Sequence, residues 1–238
     1  MLRRVHAVAV VLLAAAGPAT ACGGQSTEEA FTDPSWQKQF RISECALQST
    51  GRNTYFVLEP GFQLVLEGGG GKLAITVLDE TKTVTGVTTR VVEEREWKDD
   101  ELVEVSRNFF AICPTTKDVF YFGEEVDDIQ DGQTVGHGGA WLAGENGARP
   151  GLLMPGHPRL GARYYQEIAP DVALDRAEIV GLDESLETPA GAFRNALKTQ
   201  EGSALDPDER EFKIYVPEIG LAQEQALLLA EAGFTDGS

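Results

Sequence analysis

Two short motifs in this sequence contain residue types that enzymes use, but neither has the complete spacing. His137-Gly138-Gly139 has the residue types of an oxyanion loop, yet acyl transfer also needs a nucleophile in a Gly-x-Ser-x-Gly turn, and no serine here stands in one. The glycines at 68–71 precede Lys72 as in a phosphate-binding loop, but Leu73 occupies the position that requires Ser or Thr. We therefore predict no catalytic residue, no cofactor and no enzymatic activity.

One acidic stretch has the carboxylates that calcium prefers. Asp127-Asp128 and Asp131-Gly132 match the first half of an EF-hand loop, but Ile129 and Gly138 occupy its third and twelfth positions, where ligands are required. Asp-Gly is also a typical hairpin turn, and we prefer that interpretation. A weaker calcium site that includes Glu124 remains the alternative.

Four other side chains have metal-binding or nucleophilic chemistry. His137, Met154 and His157 carry ligands that suit copper or zinc, but their spacing fits neither a helical nor a hairpin site. A reactive thiolate at Cys113 would need a basic neighbour, and Lys117 is the nearest in sequence. We predict no metal site, and an active site would require both histidines to meet acidic side chains in one cleft.

The N-terminus has the pattern of a secretory signal that ends at a cysteine. Arg3 and Arg4 precede an apolar run at 5–16, which is too short to span a bilayer by itself. Ala19-Thr20-Ala21 then stands before Cys22. This segment resembles a bacterial lipoprotein signal, and the resemblance implies that Cys22 receives the lipid. An ordinary signal peptide cut near residues 19–21 is the alternative.

This signal divides the chain into three parts. Residues 1–21 are interpreted as the signal peptide, 22–34 as the lipidated N-terminus with a flexible tether, and 35–238 as one β-rich extracytoplasmic domain. Several acyl chains on one N-terminus hold a protein at a membrane. We therefore predict a cell-envelope protein, anchored to a membrane by lipid and facing the extracytoplasmic side.

The charge of the chain excludes one class of partner. The full sequence has a formal net charge of −18, and removal of the signal, with its two arginines and no acid, makes it about −20. Nucleic acids and anionic membrane surfaces both require a basic face, so we expect neither as a binding surface. A well-solvated surface explains this charge more simply than a dedicated cation-binding role.

Two cysteines remain once Cys22 is assigned to lipid. In an oxidising compartment, an even number of cysteines indicates disulfide bonding. We predict one bond between Cys45 and Cys113, which would tie the start of the mature chain to a central strand.

After Cys45 the sequence alternates β-rich runs with turn residues at regular spacing. Such runs occur at 55–58, 62–66, 73–78, 87–97, 102–112, 119–122, 163–168, 176–182, 193–200 and 211–216. The pattern predicts an all-β fold, mainly an antiparallel meander whose sheet is curled or forms a half-barrel.

Three segments depart from this pattern. Asp33 and Pro34 predict the start of a short N-terminal helix that ends near residue 42. Residues 132–158 are rich in Gly, Pro, His and Trp, which indicates a long irregular loop where function often lies. Residues 221–232 are compatible with either a last strand or a helix.

Several phrases together resemble a family of hypothetical secreted or lipid-anchored bacterial proteins. They are VFYFGE at 119–124, AWLAG at 140–144, PGLLMP at 150–155, TPAGAF at 188–193 and YVPEIGL at 215–221. The resemblance covers most of residues 55–230 and departs at Glu218, where a glycine-containing turn is expected. It implies an extracytoplasmic β-rich domain and implies no activity.

Aromatic and apolar side chains supply the candidate binding site. Phe120 and Phe122 lie on a predicted strand, and Trp141, Leu153 and Met154 lie on the predicted long loop. On the concave side of a curled sheet, they would contact an apolar ligand with the loop as a lid. We expect a protein that binds an apolar small molecule or an envelope protein; the alternative is a structural or assembly lipoprotein with a filled core that acts only through surface contacts.

Overall fold

In this computed structural model, residues 33–235 are described, and most of them form strands. One turn of 3-10 helix, Ile42–Glu44, precedes the first strand. The strands of this part of the chain are β1 (Gly51–Asn53), β2 (Phe56–Leu58), β3 (Phe62–Gly68), β4 (Gly71–Val84), β5 (Val87–Lys98), β6 (Glu101–Ile112), β7 (Val119–Gln130), β8 (Gln133–Gly136), β9 (Trp141–Leu142), β10 (Arg149–Met154), β11 (Arg163–Tyr165), β12 (Glu167–Ile168), β13 (Asp175–Thr188), β14 (Gly191–Ser203), β15 (Glu211–Val216), β16 (Gly220–Glu224) and β17 (Leu227–Phe234). The predicted all-β fold is confirmed.

One large antiparallel sheet contains every strand except β1 and β2. Its order is β11-β13-β14-β15-β16-β17-β3-β4-β5-β6-β7-β10-β12, and β8 and β9 pair with β7 beside this path. Most neighbours follow one another in sequence, so the sheet is largely the predicted meander. The strands β1 and β2 form a separate hairpin.

The two edges of the large sheet meet at one segment of chain. β11 pairs with β13, and β12, which follows it directly, pairs with β10. Between them, Gln166 donates its backbone N–H to the carbonyl of Asp175 at 2.7 Å. Gly151 of β10 approaches Gln166 so closely that a Cβ atom there would clash with its backbone. The curled sheet therefore closes almost completely into a barrel.

The β1–β2 hairpin lies across one end of this barrel. The side-chain amide of Asn53 donates to the carbonyls of Lys117 at 2.8 Å and Pro155 at 3.0 Å. The hydroxyl of Tyr55 donates to the carbonyl of Asn195 at 3.1 Å. Because these partners belong to different parts of the wall, the hairpin covers the opening at this end, which we call the closed end. The opposite end, where β15 begins and β16 ends, is called the open end.

A disulfide bond holds the chain against the closed end. Cys45 and Cys113 are bonded, with their Cα atoms 5.8 Å apart, and this confirms the predicted pair. Gln48 then exchanges two backbone hydrogen bonds, of 2.8 and 2.9 Å, with Ile112 at the end of β6. The segment before the hairpin is thus attached to the barrel wall both covalently and by hydrogen bonds.

Turn residues explain the hairpins that the sequence predicted correctly. Asp99 and Asp100, between β5 and β6, have φ angles of 51° and 67°. Asp131 and Gly132, between β7 and β8, have φ angles of 51° and 71°. Two-residue hairpin turns of type I′ require positive φ at both central residues, and Asp and Gly adopt it more readily than most other residues. The Asp-Gly pair therefore forms the predicted turn.

Residues 33–235 contain no α-helix, contrary to the prediction of a short N-terminal helix. The Asp33 carboxylate does accept the Ser35 N–H at 2.8 Å, as a helix cap would, but only a turn follows. Gln37 instead donates its N–H to the carbonyl of Arg163 at 3.0 Å and accepts the N–H of Tyr165 at 2.9 Å. Pairing with β11 uses the backbone groups that a helix would need. The residues before Asp33 lie outside the described part of the chain.

The predicted long loop at 132–158 contains three strands, so that prediction is wrong in part. β10 pairs with both β7 and β12, which places the expected lid residues 152–154 in the barrel wall. Strands of two to six residues rich in Gly and Pro are too short for alternation to be recognised in sequence. The ambiguous segment 221–232 likewise forms strand, within β16 and β17.

Candidate ligand-binding site

A cavity of about 140 Å³ lies inside the barrel. The apolar part of its wall includes Phe56, Phe62, Leu64, Val92, Phe110 and Leu153. Phe56 belongs to the β1–β2 hairpin, and its ring packs edge-on against Phe110 with centroids 5.3 Å apart. The apolar part of the cavity therefore lies at the closed end.

The remainder of the cavity wall is strongly acidic. Among the described residues that line the cavity, eight are acidic and one, Lys213, is basic. The acidic residues are Glu94, Glu96, Glu167, Asp175, Glu201, Glu209, Glu211 and Glu224. Glu211 begins β15 and Glu224 ends β16, so this part of the wall lies toward the open end.

The side chains that face the cavity change from apolar to acidic along the strands. Successive side chains of a strand point to opposite faces, so every second residue faces the interior. On β5, the interior positions run from Val92 to Glu94 and Glu96 as the strand approaches the open end. On β15, Glu211 and Lys213 occupy the interior positions nearest that end.

Lys213 is surrounded by three carboxylates. Its Nζ atom lies 3.0 Å from Glu224, 3.3 Å from Glu211 and 3.5 Å from Glu201. Burial alone would lower the pKa of Lys213, but the three carboxylates hold it well above its ordinary value. The ammonium group therefore remains charged and balances one of the three negative charges.

Glu201 also accepts two hydrogen bonds from neutral hydroxyls. Thr199 donates to Oε1 at 2.7 Å, and the Tyr215 hydroxyl donates to the same atom at 3.1 Å. Burial raises the pKa of Tyr215 well above its ordinary value, and the charge of Glu201 raises it further. Tyr215 consequently stays protonated and remains a donor to Glu201.

Tyr164 is buried beside this group without a hydrogen-bond partner. The residue is 2% exposed, and within residues 33–235 its hydroxyl makes no hydrogen bond. Burial and the charge of Glu201 raise its pKa, and it also interacts electrostatically with Tyr215. A buried polar atom without a partner is costly. Tyr164 is not among the residues that line the cavity, but its hydroxyl lies beside Glu201, which is.

Two aromatic residues bind polar groups of the cavity wall. Trp141 donates its Nε1–H to Glu167 at 2.7 Å. The hydroxyl of Tyr121 donates to the side-chain oxygen of Asn108. Since both Glu167 and Asn108 line the cavity, these hydrogen bonds orient polar groups within it.

The sequence predicts five ligand contacts: Phe120, Phe122, Trp141, Leu153 and Met154. Of these, Leu153 lines the cavity. The other four are buried without lining it; Phe120, for example, packs against Phe40 with ring centroids 6.1 Å apart. Tyr121 faces the cavity, so its neighbours on β7 face the other side of the wall.

Sequence reasoning missed the charged part of the cavity. It assumes that apolar residues of a strand face inward, but on β15 Phe212 is 49% exposed while Lys213 faces the cavity. The available signal was the alternation of Glu211, Lys213 and Tyr215 on one face of the strand. Alternation identifies two faces without showing which of them is inside.

The other candidate chemical groups lie away from the cavity. His137 contacts the Val126 carbonyl at 2.8 Å and Asp127 at 3.1 Å, and neither it nor His157 lines the cavity. Asp128 accepts the backbone N–H of Gly138 at 2.8 Å. Within the described residues, no three His, Cys, Asp or Glu side chains are grouped to hold a metal ion.

The fold and cavity define a class: an all-β, barrel-like protein with an internal cavity that is apolar at one end and acidic at the other. Comparison of the chain with protein families, curated proteins and solved structures gives no match. The resemblance to hypothetical lipoproteins stays a prediction. Within residues 33–235, no helix is long and apolar enough to cross a membrane.

Proposed function

We propose that this chain is a lipid-anchored binding protein of the cell envelope, without enzymatic activity, that holds a small apolar molecule inside its barrel. The observation that supports it is the cavity of about 140 Å³ with its apolar closed end. Small-molecule sites are typically concave and apolar with a few placed polar groups. The cavity supports this proposal over a purely structural role with a filled core.

The volume of the cavity limits the size of the ligand. An apolar protein cavity of about 150 Å³ accepts one benzene ring. The present cavity therefore encloses a ligand, or the part of a ligand, that is about the size of one aromatic ring. A whole lipid molecule is too large to be enclosed. A longer ligand would extend through the open end.

The closed end is built to keep its shape before the ligand arrives. Asn53 and Tyr55 connect the hairpin to the barrel wall, and the Cys45–Cys113 disulfide attaches the preceding segment to the end of β6. A preformed site avoids the entropic cost of ordering its wall during binding. Such rigidity favours a binding role.

The location at the membrane rests on the N-terminal sequence. Cys22 and the signal before it lie outside the described residues, and the proposal of a lipid anchor follows from their pattern. An anchored domain on a flexible tether would meet its ligand or an envelope protein outside the cytoplasm.

The binding proposal is tested with ethylbenzene and the full chain carrying Cys22→Ser, so that no acyl chain competes for the cavity. We expect saturable binding by isothermal titration calorimetry. Leu64→Phe fills the apolar end and should abolish it, whereas the matched control Leu160→Phe, at a residue that is 67% exposed, should not. Absence of binding, or equal binding by both variants, would contradict the proposal.

A further inference from the structure

We propose that the ligand of this cavity is a small amphipathic cation, with an apolar body of about one ring joined to a protonated amine. This inference rests on the proposed function, because it names the chemistry of the molecule that the cavity binds. It follows from the charge of the wall, from the order of its apolar and acidic parts, and from the Tyr164 hydroxyl.

The charge of the wall determines the sign of the charge that the ligand carries. Glu201, Glu211 and Glu224 place three carboxylates around the one ammonium in the lining, that of Lys213, so this group carries a formal excess of negative charge. Because these three carboxylates already pair with Lys213, its ammonium offers an anion no uncompensated positive charge. Low-dielectric walls concentrate such a field and attract a cation into the cleft.

The order of the two parts selects the shape of the ligand. An amine on an apolar body would enter with the body first, place it against Leu64 and Phe110, and leave the ammonium near Glu211 and Glu224. The carboxylates would then form charge-assisted hydrogen bonds with the ammonium. A bare metal ion would gain nothing from the apolar walls, and a neutral hydrocarbon would gain nothing from the carboxylates.

Tyr164 supplies an observation that is independent of the acidic residues. Its hydroxyl is buried, makes no hydrogen bond within residues 33–235 and interacts with Glu201 and Tyr215, which both line the cavity. An ammonium group of the ligand carries several N–H donors, and the phenol oxygen can accept one of them. Tyr164 is not itself among the residues that line the cavity, but it lies beside Glu201, which is, so an amine bound at Glu201 would bring a donor toward a hydroxyl that has no partner within residues 33–235.

Three probes of similar shape and different charge test the inference: phenethylammonium, propylbenzene and 3-phenylpropanoate. Each is titrated calorimetrically into the full Cys22→Ser chain at pH 7. We expect the cation to bind at least about tenfold more tightly than the neutral probe, with a loss of affinity at high salt, and the anion not to bind.

The outcomes separate this inference from the proposed function. Binding of propylbenzene as tight as that of the cation would overturn the inference and leave the proposal of an apolar ligand standing. If none of the three probes binds, both are overturned. Tight binding of the anion would also overturn the inference, because it would show that Lys213 dominates the site.

Two variants locate the ammonium group. Glu224→Gln should weaken binding of the cation about tenfold and leave the neutral probe unaffected, while the matched control Glu231→Gln, on the exposed part of β17, should change neither. Tyr164→Phe removes no hydrogen bond within the described chain, so it should fold normally and still weaken the cation severalfold. Unchanged affinity for the cation in both variants would overturn the inference.

Discussion

The two ends of the cavity differ in what holds them together. The closed end is secured by a disulfide, by uncharged hydrogen bonds from the hairpin and by packed aromatic rings. The open end contains charged groups that satisfy one another only in part, with three carboxylates around Lys213. The first arrangement stabilises the fold without a ligand. The second leaves an excess of buried negative charge, which costs free energy. Under our proposal, the closed end therefore provides stability, and the open end selects a ligand whose positive charge offsets this cost.

The largest expected effect comes from breaking the covalent link at the closed end. The Cys45–Cys113 bond spans 68 positions of sequence, and loss of such a constraint on the unfolded chain costs about 4 kcal/mol. We expect Cys45→Ala with Cys113→Ala to lower the free energy of unfolding by about this amount in urea denaturation. An oxidised wild-type protein no more stable than the double variant would contradict the assignment of stability to this end.

Removal of the Lys213 ammonium from the open end should cause the next largest loss of stability. Lys213→Met leaves the carboxylates of Glu201, Glu211 and Glu224 uncompensated, at an expected cost of about 3 kcal/mol. The matched control Lys198→Met removes a lysine that stacks on Phe212 at 4.6 Å and should cost less than about 1 kcal/mol. Urea denaturation of both variants provides the measurement.

The same variant sharpens the comparison when ligand is added. Phenethylammonium should stabilise Lys213→Met more than it stabilises the wild type, because the ligand then supplies the missing positive charge. Equal stabilisation of the two proteins would show that the ligand ammonium lies away from these carboxylates.

A smaller loss is expected when the uncharged hydrogen bonds of the closed end are removed. Asn53 donates to Lys117 and Pro155 and accepts the N–H of Tyr55 at 2.7 Å. Asn53→Ala removes these bonds and leaves the buried Tyr55 N–H without its partner. We expect the free energy of unfolding, measured by urea denaturation, to fall by about 2 kcal/mol. Gln133→Ala, on the exposed strand β8, is the control and should leave it unchanged. A loss as small as that of the control would mean that the hairpin is held by packing alone.

The smallest expected effect is a change in how stability depends on pH in the alkaline range. The pKa of Tyr164 is raised in the folded protein, so above the unfolded value of about 10 the unfolded chain loses this proton while the folded chain keeps it. Stability must therefore fall as pH rises through this range. Tyr164→Phe should remove about 1 kcal/mol of the decrease between pH 10 and 11, seen in urea denaturation at each pH. An unaltered pH profile in the variant would contradict the burial of this hydroxyl.

Much of the fold follows from local sequence. The Asp99-Asp100 and Asp131-Gly132 turns have the residues that positive φ requires, and the strand predicted at 211–216 coincides with β15. Two remaining cysteines were enough to predict the disulfide. Asp33 alone was not enough to predict whether a helix forms at the N-terminus. The backbone of Gln37 pairs with β11, more than a hundred residues away in sequence, and this pairing excludes the helix.

The candidate site was largely hidden from the sequence. Leu153 was found, but Phe120 and Phe122 were assigned to the face that Tyr121 occupies. The acidic wall was treated only as part of a high surface charge. Residues from β5, β13, β14, β15 and β16 contribute to it, and nothing local shows that these segments face a common space.

By itself, the sequence determined most of the strands, most of the turns and the disulfide pair. Strands and turns depend on neighbouring residues, and the disulfide follows from the even number of cysteines that remain. Only the tertiary structure decided that the sheet closes through residues 163–168, that the hairpin covers one end, and that Lys213 rather than Phe212 faces the interior. The physical reason is that alternation gives every strand two faces, and only the closure of the sheet determines which of them becomes the inside.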